Sequence, residues 1–81
     1  MPTIARVRGS RITMYQSGKE HNPPHVHVIY NEFECSVNIR DLEKMTGNIP
    51  ANILAAVLDF IQAHQRELLL MWDSGNPYAI E

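Results

Sequence analysis

An α+β domain is the fold class this sequence predicts: a mainly antiparallel sheet of four or five strands with one long C-terminal helix packed on one face. Three observations carry that expectation. Through the first half of the chain, apolar and polar side chains alternate with the two-residue period of a strand. Short turn-forming pairs separate the alternating runs, as hairpins require. From Pro50 the apolar spacing changes to three and four, the period of a helix buried along one stripe.

The first hairpin is expected from residues 3–7 and 11–15 around a turn containing Gly9-Ser10. With those two residues as the loop, Val7 faces Ile12 and Ala5 faces Met14, so one side of the hairpin is apolar. The other side then collects Arg6, Arg8, Arg11, Thr13 and Tyr15, because successive strand side chains leave opposite faces. The polar run QSGKEHNPP follows as a loop, and Pro23-Pro24 forms a stiff, extended lead-in that fixes where His25 begins.

A second hairpin is expected from residues 25–30 and 33–39 around Asn31-Glu32, asparagine being the non-glycine residue most tolerant of positive φ. In that register Tyr30 pairs with Phe33, Val28 with Cys35 and Val26 with Val37, and these make the core face. The opposite face shows His25 beside Asn38, His27 beside Ser36 and Ile29 beside Glu34. Residues 40–48 are a connector with room for a short strand around 42–45. The helix is predicted over residues 49–74 as one rod of roughly 36 Å, capped at Asn48 or Ile49, with Pro50 in its first turn and Gly75 and Pro77 ending it. A bend, if there is one, belongs near residues 62–66. Val26, Val28, Val37, Ile12, Val57, Ile61 and Trp72 are the expected core. Leu69 and Leu70 lie partly off the stripe, against the tail or a partner.

Length allows one domain: 81 residues divide into a sheet half (1–45), the helix and a tail (75–81). Apolar content of 44% with 20% charge excludes a disordered chain. A single cysteine, Cys35, excludes an internal disulfide and a thiolate zinc site, and its place opposite Val28 makes it inert core; a reducing cytoplasm is the expected compartment. Arg6, Arg8 and Arg11 interrupt the apolar run that a secretory signal needs, and the longest apolar stretch, 53–61, contains Asp59 and falls far short of the roughly 20 residues of a membrane span. The net charge is −2, but residues 1–40 carry five basic against three acidic side chains and residues 41–81 two against six. The basic half admits an anionic partner, with fewer arginines than a dedicated duplex binder shows. There is no internal repeat, phosphate-cradling glycine loop, GxSxG elbow or HExxH helix.

The block HNPPHVHV, residues 21–28, sets His21, His25 and His27 around a double proline. Strand parity sends His25 and His27 from one face, and three chemistries use such a pair. As metal ligands they are only two, since an extended lead-in of roughly 3.1 Å per residue holds His21 away. Glu32 reproduces the HxH-x4-E spacing of cupin metal motifs, but the chain turns to helix where a cupin needs another histidine strand, so Glu32 reads as a turn residue. As proton-transfer groups, His25 and His27 with the hydroxyl of Tyr15 suit metal-independent RNA cleavage, with Arg6, Arg8, Arg11, Asn38 and Ser36 holding the nucleic acid. Without chemistry, the same face or an exposed strand edge makes a protein-binding module. His64, on the apolar stripe, is expected to be buried and hydrogen-bonded across the sheet from the pair, unless the helix leans over one end and brings it close.

The opening MPTIARVRGSRITMY, the block HNPPHVHVIY and the helix pattern of His64, Glu67, Leu68 and Trp72 together resemble the small bacterial domain-of-unknown-function family 4160. Members of that family are short stand-alone proteins often encoded beside another small protein, an arrangement like a toxin–antitoxin pair. The resemblance implies a cytoplasmic component of such a module, most plausibly the toxin, with a small cognate partner protein, RNA as target, no membrane, and homodimerisation left open. It carries over His21, His25 and His27, with His64 as the helix counterpart, and no cofactor; zinc on His21, His25 and His27 is the alternative. The tail NPYAIE stops short of where relatives often continue, which leaves its role open.

Overall fold

The computed structural model describes residues 3–15 and 23–80, so the expectation for His21 lies outside the described residues. Five strands, β1 (Thr3–Val7), β2 (Ser10–Thr13), β3 (His25–Tyr30), β4 (Phe33–Asn38) and β5 (Glu43–Asn48), form one antiparallel meander in the spatial order β1-β2-β3-β4-β5. Two helices follow, α1 (Ala51–Ala63) and α2 (Gln65–Ser74).

The central hairpin has the register expected from alternation. His25 pairs with Asn38, Val26 with Val37, His27 with Ser36, Val28 with Cys35, Ile29 with Glu34 and Tyr30 with Phe33. Asn31 takes a φ of 52° in the two-residue turn. The first hairpin differs by one residue on β1. Its turn is Arg8-Gly9, with φ of 49° and 82°, so Val7 pairs with Ser10, Arg6 with Arg11 and Ala5 with Ile12. Two consecutive positive φ values are the signature of the turn whose twist matches the strands, and Gly9 adopts the second without strain. Ser10 is drawn into the strand, where its hydroxyl donates to the Val7 carbonyl at 2.6 Å. Ile4 is an extra residue between Thr3 and Ala5 in the pairing, a bulge that restores the buried face.

The fifth strand lies at Glu43–Asn48 rather than around 42–45. Asn38 starts the connection: its Oδ1 accepts the backbone N–H of both Arg40 and Asp41 at 2.8 Å. Leu42 completes the reversal at a φ of 57°.

The single rod is corrected to two helices meeting at His64, whose φ of −117° and ψ of 22° leave the helical region. The reason is dimensional. The molecule's longest extent is 30 Å, and an unbroken rod of roughly 36 Å would carry its last turns past the sheet. Breaking at His64 lets α1 cover the face with Ile53, Val57 and Ile61, and lets α2 close the end of the sheet with Leu68, Met71 and Trp72. The Gln65 side chain pins the join by donating to the carbonyls of Ile39 at 2.8 Å and Arg40 at 3.2 Å. The helix also starts at Ala51 rather than at residue 49, with Pro50 as the cap. Gly75 ends α2 at a φ of 69°.

These elements enclose one core. Ile4, Ile12, Val26, Val28, Val37, Ile39, Val57, Ile61 and Leu68 have no accessible surface, and Met14, Cys35, Met71 and Trp72 join them. At about 1.5–3 kcal/mol for each large apolar side chain, this burial is the chief drive to fold. Leu69 packs partly on the core, whereas Leu70 stands 63% exposed. The tail folds back over the helices: the Tyr78 hydroxyl donates to Glu67, and the Ile80 N–H donates to the Ile4 carbonyl at 2.7 Å. Among the described residues no helix is long and apolar enough to cross a membrane.

Candidate functional site: the histidine face of the sheet

Register places the side chains that leave the sheet opposite the helices into three transverse rows. Arg6, Arg11, Ile29, Glu34 and Asn48 form the first. The second, two residues along, is Thr3, Thr13, His27, Ser36 and Thr46. His25, Asn38 and Glu43 form the third. The middle row is entirely hydroxyl and imidazole, whereas the neighbouring row on the helix-covered face is Ala5, Ile12, Val28, Cys35 and Gly47.

The two imidazoles stand together. Their ring centroids lie 5.1 Å apart at 70°, and both rings are half-buried on one face, as strand parity requires. Tyr15 sits edge-on to His27 at 4.6 Å. Trp72, from α2, sits 5.1 Å from His25. Tyr15, His27, His25 and Trp72 therefore make a continuous line of rings running from the end of β2 to the second helix. Trp72 is the member that the sequence reading placed in the core alone: it is 8% exposed, yet it touches the site as well as the interior. No residue in the sequence signals this, because it depends on the break at His64: only a helix that closes the end of the sheet can bring Trp72 to the first residue of β3.

Each histidine is held by a different neighbour. His25 Nδ1 lies 2.9 Å from the Pro23 carbonyl oxygen. A carbonyl can only accept, so Nδ1 carries the hydrogen and, in the neutral ring, Nε2 carries the lone pair. The rigid double proline thus sets the tautomer as well as the start of the strand. His27 Nδ1 faces Glu34 at 4.0 Å. Partial burial, helped by the neighbouring charge of His25, holds the His27 imidazole below its ordinary value of 6.5, with Glu34 opposing the shift. His27 is consequently neutral at neutral pH.

The remaining predicted residues divide. Arg6 and Arg11 are exposed and directly opposed across β1 and β2. Like charges in that position repel, and the ion pairs among the described residues, His27 with Glu34 and His64 with Glu67, include neither arginine. Arg8 does not share their face: it occupies the turn and borders a hollow with Asn52, Ala55, Ala56 and Asp59 of α1, because the turn falls one residue earlier than expected. Ser36 and Asn38 are on the face but engaged within the fold, Ser36 with the Thr46 hydroxyl at 2.8 Å and Asn38 through Oδ1 in the turn after β4. His64 is not a buried, bonded core residue; it stacks on Phe60 at 4.5 Å, lies 3.7 Å from Glu67, and stands beside the β1 edge. Burial pushes the Cys35 thiol up, away from nucleophile chemistry. Among the described residues no three of His, Cys, Asp and Glu stand together as a metal site.

The model of one protein family, domain of unknown function (DUF4160), matches residues 9–73, from the first turn to the end of α2. The chain belongs to that family. No curated protein and no solved structure matches it. The DUF4160 match takes in the whole line of rings and the HNPPHVHV block, and leaves outside it Thr3–Val7 and the tail that pairs with this strand.

Proposed function

We propose that this chain acts on RNA through the histidine face, cleaving it without metal, and serves as the toxin of a toxin–antitoxin pair. The observation that carries the reading is the pair of adjacent imidazoles, one held neutral and the other fixed in tautomer, two and four residues along the strands from an opposed pair of arginines that have no acidic partner among the described residues. An anion between Arg6 and Arg11 relieves their repulsion, and a phosphodiester is an anion whose oxygens match guanidinium geometry. Neutral His27 accepts the proton of a ribose 2′-hydroxyl as its oxygen attacks phosphorus. The bond from phosphorus to the 5′ oxygen breaks, and protonated His25 gives that oxygen its proton through Nε2. The products are a 2′,3′-cyclic phosphate and a 5′-hydroxyl, and exchange with water returns both imidazoles to their starting states. Tyr15, at the edge of His27 and 45% exposed, is placed to contact the ribose or the base.

The module role rests on the family's gene arrangement and is tested by growth arrest on expression and its rescue by the neighbouring product. The chemistry is tested by incubating purified protein with single-stranded RNA in EDTA. Wild type is expected to release 2′,3′-cyclic phosphate ends, and His25→Ala and His27→Ala to lose about 100-fold or more of that rate. Equal cleavage by all three proteins removes the histidines from the mechanism.

A further inference from the structure

The two edges of the sheet are unequal. On β5 the Lys44 ammonium donates to the Gly47 carbonyl of its own strand at 2.6 Å, and Met45 is an extra residue that breaks the pairing between Ser36 and Val37. A lysine and a bulge are the devices by which an edge strand refuses a neighbour. β1 carries no lysine, and its bulge, at Ile4, lies N-terminal to the regular pairing of residues 5–7. Its two-residue turn makes Val7 and Ser10 the mutually bonded pair, so by alternation the N–H and C=O of Arg6 point away from the sheet. At the bulge residue Ile4 the carbonyl also points outward, where it already accepts an extended segment, the chain's own Ile80.

A groove of about 600 Å³ runs beside this edge, between residues 3–6 and the rings of Phe60 and His64, with Ile80 at its end. Among the described residues its ionisable walls are Arg6 and His64, with no carboxylate. We propose that the outer edge of β1 and this groove form the docking site for an extended, acidic segment of a partner protein, which adds to the sheet as a further strand. Backbone bonds to Arg6 supply the pairing, alternate apolar side chains enter on the helix side beside Phe60, His64 and Ile80, and the intervening carboxylates, on the other face, meet Arg6. The site shares the Arg6 side chain with the histidine face but takes its pairing from the strand edge, and peptide binding there is measured without reference to RNA cleavage.

The test is an amide NMR titration of isotopically labelled protein with a blocked peptide alternating valine and glutamate. Saturable shifts are expected at Ile4, Ala5, Arg6, Phe60 and His64. The same peptide with N-methylated backbone, or with lysine for glutamate, should bind at least about tenfold more weakly. Arg6→Glu, an exposed change that leaves the core intact, should reverse the preference between the glutamate and lysine peptides. Absence of saturable shifts, equal binding of the N-methylated peptide, or shifts confined to β5 each overturn the proposal. So does self-association of the protein alone through the same amides, which would make the occupant a second copy of the chain.

Discussion

His27 is the residue on which pH acts most directly. Its folded imidazole resists protonation relative to the ordinary 6.5 because it is partly buried beside His25. Between 6.5 and that lowered value the unfolded chain binds a proton that the folded chain refuses, so the contribution is fully present above 6.5 and is lost as pH falls through the window. His27→Gln keeps a polar side chain and removes the titration. Urea midpoints measured from about pH 8 to about pH 5 should fall less steeply for that variant than for wild type, and parallel slopes would show that His27 carries none of the dependence. Gly47 is constrained by space instead. With a φ of 84°, it lies so close to β4 that a Cβ would strike the Glu34 carbonyl and the Cys35 backbone. Gly47→Ala should cost roughly 2–4 kcal/mol, read as a lowered denaturation midpoint with an unchanged m-value.

At the scale of elements, what was legible in the sequence is what local alternation and turn chemistry determine alone. The Asn31 turn fixes the register of β3 against β4, and with it the shared face of His25 and His27, because a one-residue slip would have turned Val26 and Val28 into solvent. The first hairpin was less legible. Arg8 has none of the residue types that announce a positive φ, so Gly9-Ser10 looked the better turn, and Arg8 was assigned to the wrong face. The helix break, at His64, falls within the stretch 62–66 where the sequence admits a bend but does not place one, for a related reason: Ile61, His64 and Leu68 continue the same stripe, and no glycine or proline marks the stop. What decides it is tertiary, the fit of a rod to a sheet narrower than itself and the grip of Gln65 on the carbonyls of Ile39 and Arg40. Gln65→Ala should therefore destabilise by about 1 kcal/mol. It should also disturb the histidine face at a distance, since α2 carries Trp72 to His25. The chain has one tryptophan, so its fluorescence reports both effects: a shifted emission in the folded variant is expected, and an unchanged spectrum would separate the Gln65 anchor from the site.

For the molecule as a whole, a five-stranded meander must keep two edges from pairing with other copies, and this chain treats them differently. The tail occupies part of β1 through Ile80, while β5, exposed along its entire length, relies on Lys44 and the extra residue Met45. The bulge increases the local twist, so a second β5 cannot lie flat against the first, and the ammonium occupies an acceptor that such a strand would need. Deleting Met45 restores continuous pairing of β5 with β4 without reversing the faces of the residues before it, because the deleted residue is the one without a partner. Combined with Lys44→Val, the deletion should convert the edge into a template for its own kind. Light scattering should then show concentration-dependent dimers or larger assemblies at concentrations where the parent protein shows no association through β5, and these should be absent when the same deletion is combined with Lys44→Pro, because residue 44, paired with Val37, directs its N–H away from β4. A double variant that scatters like the parent would mean that the overall twist of the sheet, rather than the bulge and the lysine, keeps β5 unpaired.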